Sequence, residues 1–92
     1  MKLDTGYRFK SGRETYKFLL EIYDRIPAEG INFFIDESKE PPGIVIFRFE
    51  GSVNIGLIDE IASKFGGERM YLPSDWRSRY ANYEFKSIEN WI

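Results

Sequence analysis

The sequence predicts an α+β domain of ferredoxin-like β-α-β-β-α-β order, a two-layer sandwich in which helices cover one face of an antiparallel sheet. Two segments with helical spacing of apolar residues, 12–26 and 55–65, are interleaved with short β-forming segments. The 92 residues contain no repeat, linker or low-complexity tract, so residues 1–92 are expected to form a single domain. An extra strand is expected near the C-terminus. The alternative is a less regular α+β fold whose last strands pair with another chain.

The first strand is predicted from apolar residues that alternate with polar ones, namely Leu3, Thr5, Tyr7 and Phe9. Ser11 is then a candidate N-cap, and Glu14 three residues later completes a capping-box pattern. The helix over residues 12–26 is predicted from the spacing of Tyr16, Leu19, Leu20, Tyr23 and Ile26. Pro27 ends it, because proline cannot continue a helix.

The middle of the chain predicts two strands joined by a loop. Residues 31–35 form a short apolar run, and residues 44–49 are the most apolar stretch and the candidate central strand. Residues 36–43 between them are acidic and contain two prolines, which indicates a connecting loop.

The second helix is predicted from Ile55, Ile58, Ala62 and Phe65, and Gly66 with Gly67 predicts its end. Residues 70–72 are expected to form a short strand that Pro73 ends. Residues 80–85 alternate again, with Ala81, Tyr83 and Phe85 on one face, and predict a further strand. The apolar tail, Ile88, Trp91 and Ile92, is expected to pack onto the domain.

The composition excludes most catalytic machinery. The chain has no cysteine and no histidine, so disulfides, thiolate chemistry, Cys- or His-ligated metals and Ser–His or Cys–His nucleophiles cannot be built. No phosphate-binding glycine motif is present. We therefore expect a protein that is not an enzyme and that needs no cofactor or metal.

Hydropathy indicates neither a membrane span nor a signal peptide. No apolar run approaches the roughly 18 residues of a spanning helix, and the chain begins with Met-Lys-Leu-Asp. No membrane association is expected, and the cytoplasm is the expected compartment.

Two segments are candidates for binding a partner. Residues 73–80 combine tryptophan, arginine and tyrosine, the residue types that dominate binding hot spots, in Trp76, Arg77, Arg79 and Tyr80. The opposing interpretation is that Trp76 folds inward and the arginines are simply hydrated. The loop after residue 35 concentrates carboxylates in Asp36, Glu37 and Glu40 without the spacing of a calcium loop, which indicates a solvated loop able to contact a basic partner.

Charge is distributed unevenly along the chain. Residues 1–17 carry a net charge of +3, residues 18–60 carry −6 and residues 61–92 carry +1. A basic surface for nucleic acid could therefore use the N-terminal cations, Lys2, Arg8, Lys10 and Arg13, together with Arg77 and Arg79. An RNA-recognition motif is not matched, because Ile44 and Ile46 stand where stacking rings are needed.

One local resemblance covers residues 55–73, about a fifth of the chain. Phe65, Gly66, Gly67, Tyr71 and Pro73, with Leu72 in place of isoleucine, resemble the helix-Gly-Gly-strand-Pro pattern of the Mor-type phage transcription activators. The resemblance implies a phage or mobile-element origin. It also implies a homodimer in which Met70, Tyr71 and Leu72 pair with a second copy. The helix-turn-helix of that family has no counterpart after Pro73, so its DNA binding is not implied.

Taken together, the sequence favours a non-enzymatic protein–protein interaction module, of the adaptor or inhibitor type, that docks onto a larger protein or ribonucleoprotein. The alternative is a small nucleic-acid-binding regulatory protein.

Overall fold

The computed structural model describes residues 2–27, 29–37 and 43–91. These residues form an α+β domain with a five-stranded antiparallel sheet and three α-helices. The elements in chain order are β1 (Lys2–Arg8), α1 (Gly12–Arg25), β2 (Ile31–Ile35), β3 (Ile44–Glu50), α2 (Ile55–Lys64), β4 (Glu68–Met70), α3 (Trp76–Arg79) and β5 (Lys86–Ser87), followed by a 3₁₀ turn at Ile88–Asn90.

The strands lie in the order β4-β1-β3-β2-β5, and each neighbouring pair is antiparallel. In the central pair, Leu3 is opposite Phe49 and Tyr7 is opposite Val45. The most apolar strand predicted from the sequence is therefore the middle of the sheet. Both terminal strands, β4 and β5, pair within the chain.

Both long helices pack on one face of the sheet. Successive strand residues point to opposite faces, and the alternate positions Tyr7, Phe33 and Phe47 meet the helices. Phe18 of α1 lies 5.3 Å from the Tyr7 ring and 5.7 Å from the Phe47 ring, measured between centroids. This aromatic core explains why the chain is rich in phenylalanine.

The helix boundaries follow their predicted caps. α1 begins after Ser11, whose Oγ accepts a hydrogen bond from the backbone N–H of Glu14 at 3.3 Å, and ends at Arg25 before Pro27. α2 ends at Lys64, and Gly66 takes a positive φ of 76° as the chain reverses. The predicted helices are confirmed to within a residue or two.

Two predicted strands are corrected. Residues 80–85 are not a strand: Tyr80 ends α3, a turn bonds the Tyr83 N–H to the Tyr80 carbonyl, and the extra strand is only β5. The alternating pattern was misleading because Tyr83 and Phe85 pack on one side chain, Phe34, while Ala81 is exposed. The strand predicted at 70–72 begins earlier, directly after Gly67, and ends at Met70.

No helix within the described residues is long and apolar enough to cross a membrane.

Candidate interaction surface

The sheet face opposite the long helices is covered as well. Phe34 of β2 and Ile46 of β3 point to this second face, since their neighbours Phe33 and Phe47 point to the helices. Phe34 nevertheless is only 3% exposed, and Ile46 is fully buried. Another part of the chain must therefore exclude water from this face.

That part is the segment of residues 71–85, which we call the C-terminal cover. Three of its rings surround Phe34, with centroids 5.4 Å away for Tyr80, 5.2 Å for Tyr83 and 4.9 Å for Phe85. Edge-to-face and tilted aromatic contacts at these distances stabilise the fold in addition to the contribution from their buried area. The cover is therefore packed onto the sheet by a cluster of four aromatic rings.

Asp36 anchors the cover to the end of β2. Asp36 is 2% exposed, and its carboxylate accepts hydrogen bonds from the Tyr80 hydroxyl at 2.8 Å and the Tyr83 hydroxyl at 3.3 Å. A buried carboxylate is tolerated when it is hydrogen-bonded in this way. Burial, reinforced by the hydrogen bond to Asp36, raises the pKa of Tyr80 to about 12.

A second polar anchor lies near the middle of the face. Arg48 of β3 donates to Asp4 of β1 at 2.8 Å and 3.2 Å, and Arg77 of the cover reaches the same carboxylate at 3.3 Å. The Arg48 guanidinium also lies 4.5 Å from the centre of the Phe85 ring. Partial burial acts to raise the pKa of Asp4, but the two arginines hold it below its usual value. Asp4 thus links the sheet to the cover.

The four predicted hot-spot residues lie together in the cover. Trp76 is half-buried, 6.4 Å from the Phe85 ring, and the Arg77 guanidinium lies 5.6 Å from the Trp76 ring. Arg77 and Arg79 have mostly exposed side chains, whereas Tyr80 is turned toward Asp36. Tyr80 faces inward, Trp76 is half-buried and both arginines are exposed, which is closer to the opposing interpretation of this segment. Binding through these residues stays a prediction.

Asp36 and Glu37 of the predicted acidic loop lie in different environments. Asp36 is occupied inside the domain by the two tyrosines, which leaves Glu37 as its exposed neighbour. Glu40 lies outside the described residues.

The residues predicted to pair with a second copy sit at one edge of the sheet. Met70 is opposite Gly6 of β1, and a methyl group at Gly6 would lie 2.9 Å from the Met70 Cγ, so the glycine makes room for that side chain. Leu72 packs over the same glycine. Tyr71 between them is 83% exposed. Tyr71 is thus the one side chain of the three that is open to a partner.

The structure does not bring the predicted basic residues into one patch. Lys2 lies 3.8 Å from Glu50 at one end of β1, and Arg8 is at the other end, about 20 Å away for a seven-residue strand. Arg77 is paired with Asp4, and Arg79 with Asp75. Arg8, Lys10 and Arg13 remain as an exposed group near the start of α1.

Sequence reasoning missed Phe34 as the centre of this face. The sequence did contain a signal. Residues 31–35 include two consecutive phenylalanines and do not alternate between apolar and polar side chains, which is typical of a strand buried on both faces. Within the described residues no group of three acidic side chains is arranged to hold a metal ion.

Comparison with protein-family models, curated protein sequences and solved structures found no match to this chain. The resemblance of residues 55–73 to Mor-type activators stays a prediction.

Proposed function

We propose that this protein is a non-enzymatic protein–protein interaction module, of the adaptor or inhibitor type, that docks onto a larger protein or ribonucleoprotein through the C-terminal cover. The observation that carries the proposal is the position of Arg77 and Arg79. They extend into solvent from a four-residue helix, α3, beside the half-buried Trp76 ring. Arginine and tryptophan are the residue types enriched at interface hot spots.

The cover is preorganised for binding. Binding is weakened by the entropy of ordering flexible side chains and loops, so a segment that is already fixed loses less on association. α3 is followed directly by Tyr80, whose ring packs on Phe34 and whose hydroxyl bonds Asp36. Tyr71 and Glu37 are further exposed side chains available to such a partner.

We further propose that the fold is a ferredoxin-like sandwich with an added strand. The β-α-β-β-α-β element order and the β4-β1-β3-β2 order of four strands support this. In this interpretation β5 is a strand added at the β2 edge of the sheet, and the cover is an addition that occupies the sheet face opposite the helices.

The test compares two double variants that each remove two positive charges. Arg77→Ala/Arg79→Ala alters the cover, and Lys10→Ala/Arg13→Ala alters the exposed basic group near α1. The tagged proteins are used to capture partners from native cells after nuclease treatment, and affinity for the captured protein is then measured by calorimetry. We expect the Arg77→Ala/Arg79→Ala variant to bind about 30-fold more weakly, or about 2 kcal/mol, and the other variant to bind normally.

Two outcomes would overturn the proposal. One is unchanged affinity in a folded Arg77→Ala/Arg79→Ala variant. The other is that nuclease releases everything captured, with binding lost in Lys10→Ala/Arg13→Ala and falling steeply with salt, which is the behaviour of a nucleic-acid-binding regulatory protein.

A further inference from the structure

The outer face of α1 carries an apolar stripe on the side of the molecule opposite the C-terminal cover. Tyr16 is 53% exposed and Tyr23 is 37% exposed, and the half-buried Leu20 lies between them. Spacings of four and three residues place all three on one side of the helix. Trp91 extends the stripe, with its ring centroid 5.2 Å from that of Tyr16.

The charges beside this stripe change sign along the helix. Arg13 and Lys17 are exposed in the N-terminal half, and Asp24 is exposed in the C-terminal half. Lys17 and Asp24 are two turns apart and therefore lie on the same flank of the stripe. Glu21 is engaged within the domain, at 2.8 Å from Lys64 and 3.3 Å from Arg25. The flank is basic at one end and acidic at the other.

We propose that α1 packs antiparallel against α1 of a second copy of this chain, about a two-fold axis that passes near Leu20. In such a pairing Leu20 meets its own equivalent, and Tyr16, four residues before it, faces Tyr23 of the second copy, three residues after it. Lys17, three residues before Leu20, faces Asp24 of the second copy, four residues after it. A two-fold interface repeats each contact, so both Lys17–Asp24 pairs form together.

The charges on either side of Leu20 are complementary to those of a second copy of the same helix. When identical helices pair antiparallel, the basic end of each flank meets the acidic end of the other, so the charge of the flank must reverse about its midpoint. Binding to an unrelated partner does not require such a reversal. The 14 residues of α1 span about 21 Å, so the contact is at the small end of specific interfaces and the dimer is a weak one. This dimer uses neither the edge strand β4 nor Tyr71.

Charge reversal tests the pairing directly. Lys17→Glu places an acidic side chain opposite Asp24 of the second copy, and Asp24→Lys places a basic one opposite Lys17, so each variant alone is expected to self-associate about tenfold more weakly than the wild type. An equimolar mixture of the two variants regains attractive pairs at both positions and is expected to associate. The double variant Lys17→Glu/Asp24→Lys is expected to associate as well. Sedimentation equilibrium over a range of concentrations measures all four, and circular dichroism checks their folding.

Arg79→Glu is the matched control, since it makes the same change of charge on the opposite side of the molecule and should leave self-association unchanged. A wild-type chain that is monomeric throughout would overturn the proposal. So would single variants that associate like the wild type, which would indicate another contact such as the β4 edge, or a mixture that fails to associate.

Discussion

Asp36 is a buried carboxylate that holds the C-terminal cover to the end of β2. The two hydroxyls that donate to it belong to Tyr80 and Tyr83, which lie 44 and 47 positions further along the chain. The sequence instead predicts a solvated acidic loop at this position. No local pattern encodes a contact over that separation. The exposed roles of Arg77 and Arg79 were easier to predict, since charged side chains on an irregular segment usually stay hydrated.

Replacing Tyr80 by phenylalanine tests this anchor. The ring contact with Phe34 remains, but the hydrogen bond to the buried Asp36 carboxylate is lost, so the free energy of unfolding should fall by about 1–2 kcal/mol. Denaturant unfolding measures the change. Tyr71→Phe removes a hydroxyl from an exposed ring and should have no effect. Equal stability of Tyr80→Phe and the wild type would show that the anchor contributes nothing.

The same variant has a distinct signature at high pH. The pKa of Tyr80 is raised from 10.0 to about 12 in the folded protein, so the unfolded chain loses that proton first. The stabilisation is complete below pH 10 and is lost as the pH rises through the folded pKa. Burial and Asp59 also raise the pKa of Tyr7. Stability should therefore decline less steeply with alkaline pH in Tyr80→Phe than in the wild type, and parallel declines would contradict the assignment.

Among the elements, the helices were the most predictable from sequence. Ser11, Pro27 and the apolar spacing of α1 are local signals that agree with the final fold, and the observed helix matches them. The segment at residues 80–85 was not predictable in the same way, because its alternation reflects packing on Phe34 rather than pairing with a strand. Short C-terminal segments of this kind take their conformation from the surface they cover.

The turn from α2 into β4 depends on Gly67. A methyl group there would overlap the Phe9 ring, so the second glycine provides space rather than conformational freedom. We expect Gly67→Ala to lower stability by about 2 kcal/mol or more. The control is Gly56→Ala within α2, where a methyl group meets only an ordinary contact and the change should be neutral or slightly stabilising.

A double-mutant cycle identifies the cause. In a Phe9→Leu background the clashing ring is absent, so Gly67→Ala should cost less than it does in the wild type. If thermal unfolding shows the same cost in both backgrounds, Phe9 is not the reason that Gly67 is required.

At the scale of the whole molecule, the sheet is the middle of three layers. α1 and α2 lie on one side, and the C-terminal cover lies on the other. The α+β class, the central position of β3 and the one-sided placement of the long helices could all be predicted from periodicity and capping. The third layer could not, since it depends on contacts between β2 and residues far along the chain.

This layering separates the two proposed surfaces. The outer face of α1 and the exposed arginines of the cover lie on opposite sides of the sheet. A dimer formed through α1 therefore leaves both covers free, and the assembly presents two copies of the interaction surface. Such bivalency increases the apparent affinity for a multivalent partner without any new contact.

The proposed function depends on the packing of the cover against Phe34, which nuclear Overhauser effects between assigned aromatic rings detect. We predict contacts from the Phe34 ring to the rings of Tyr80, Tyr83 and Phe85. The neighbouring Phe33 on the helix-facing side serves as the internal control, with contacts to Trp91 and none to Phe85. A Phe34 ring without these contacts, in a folded protein whose residues 71–85 have random-coil shifts, would show that the cover does not pack on the sheet.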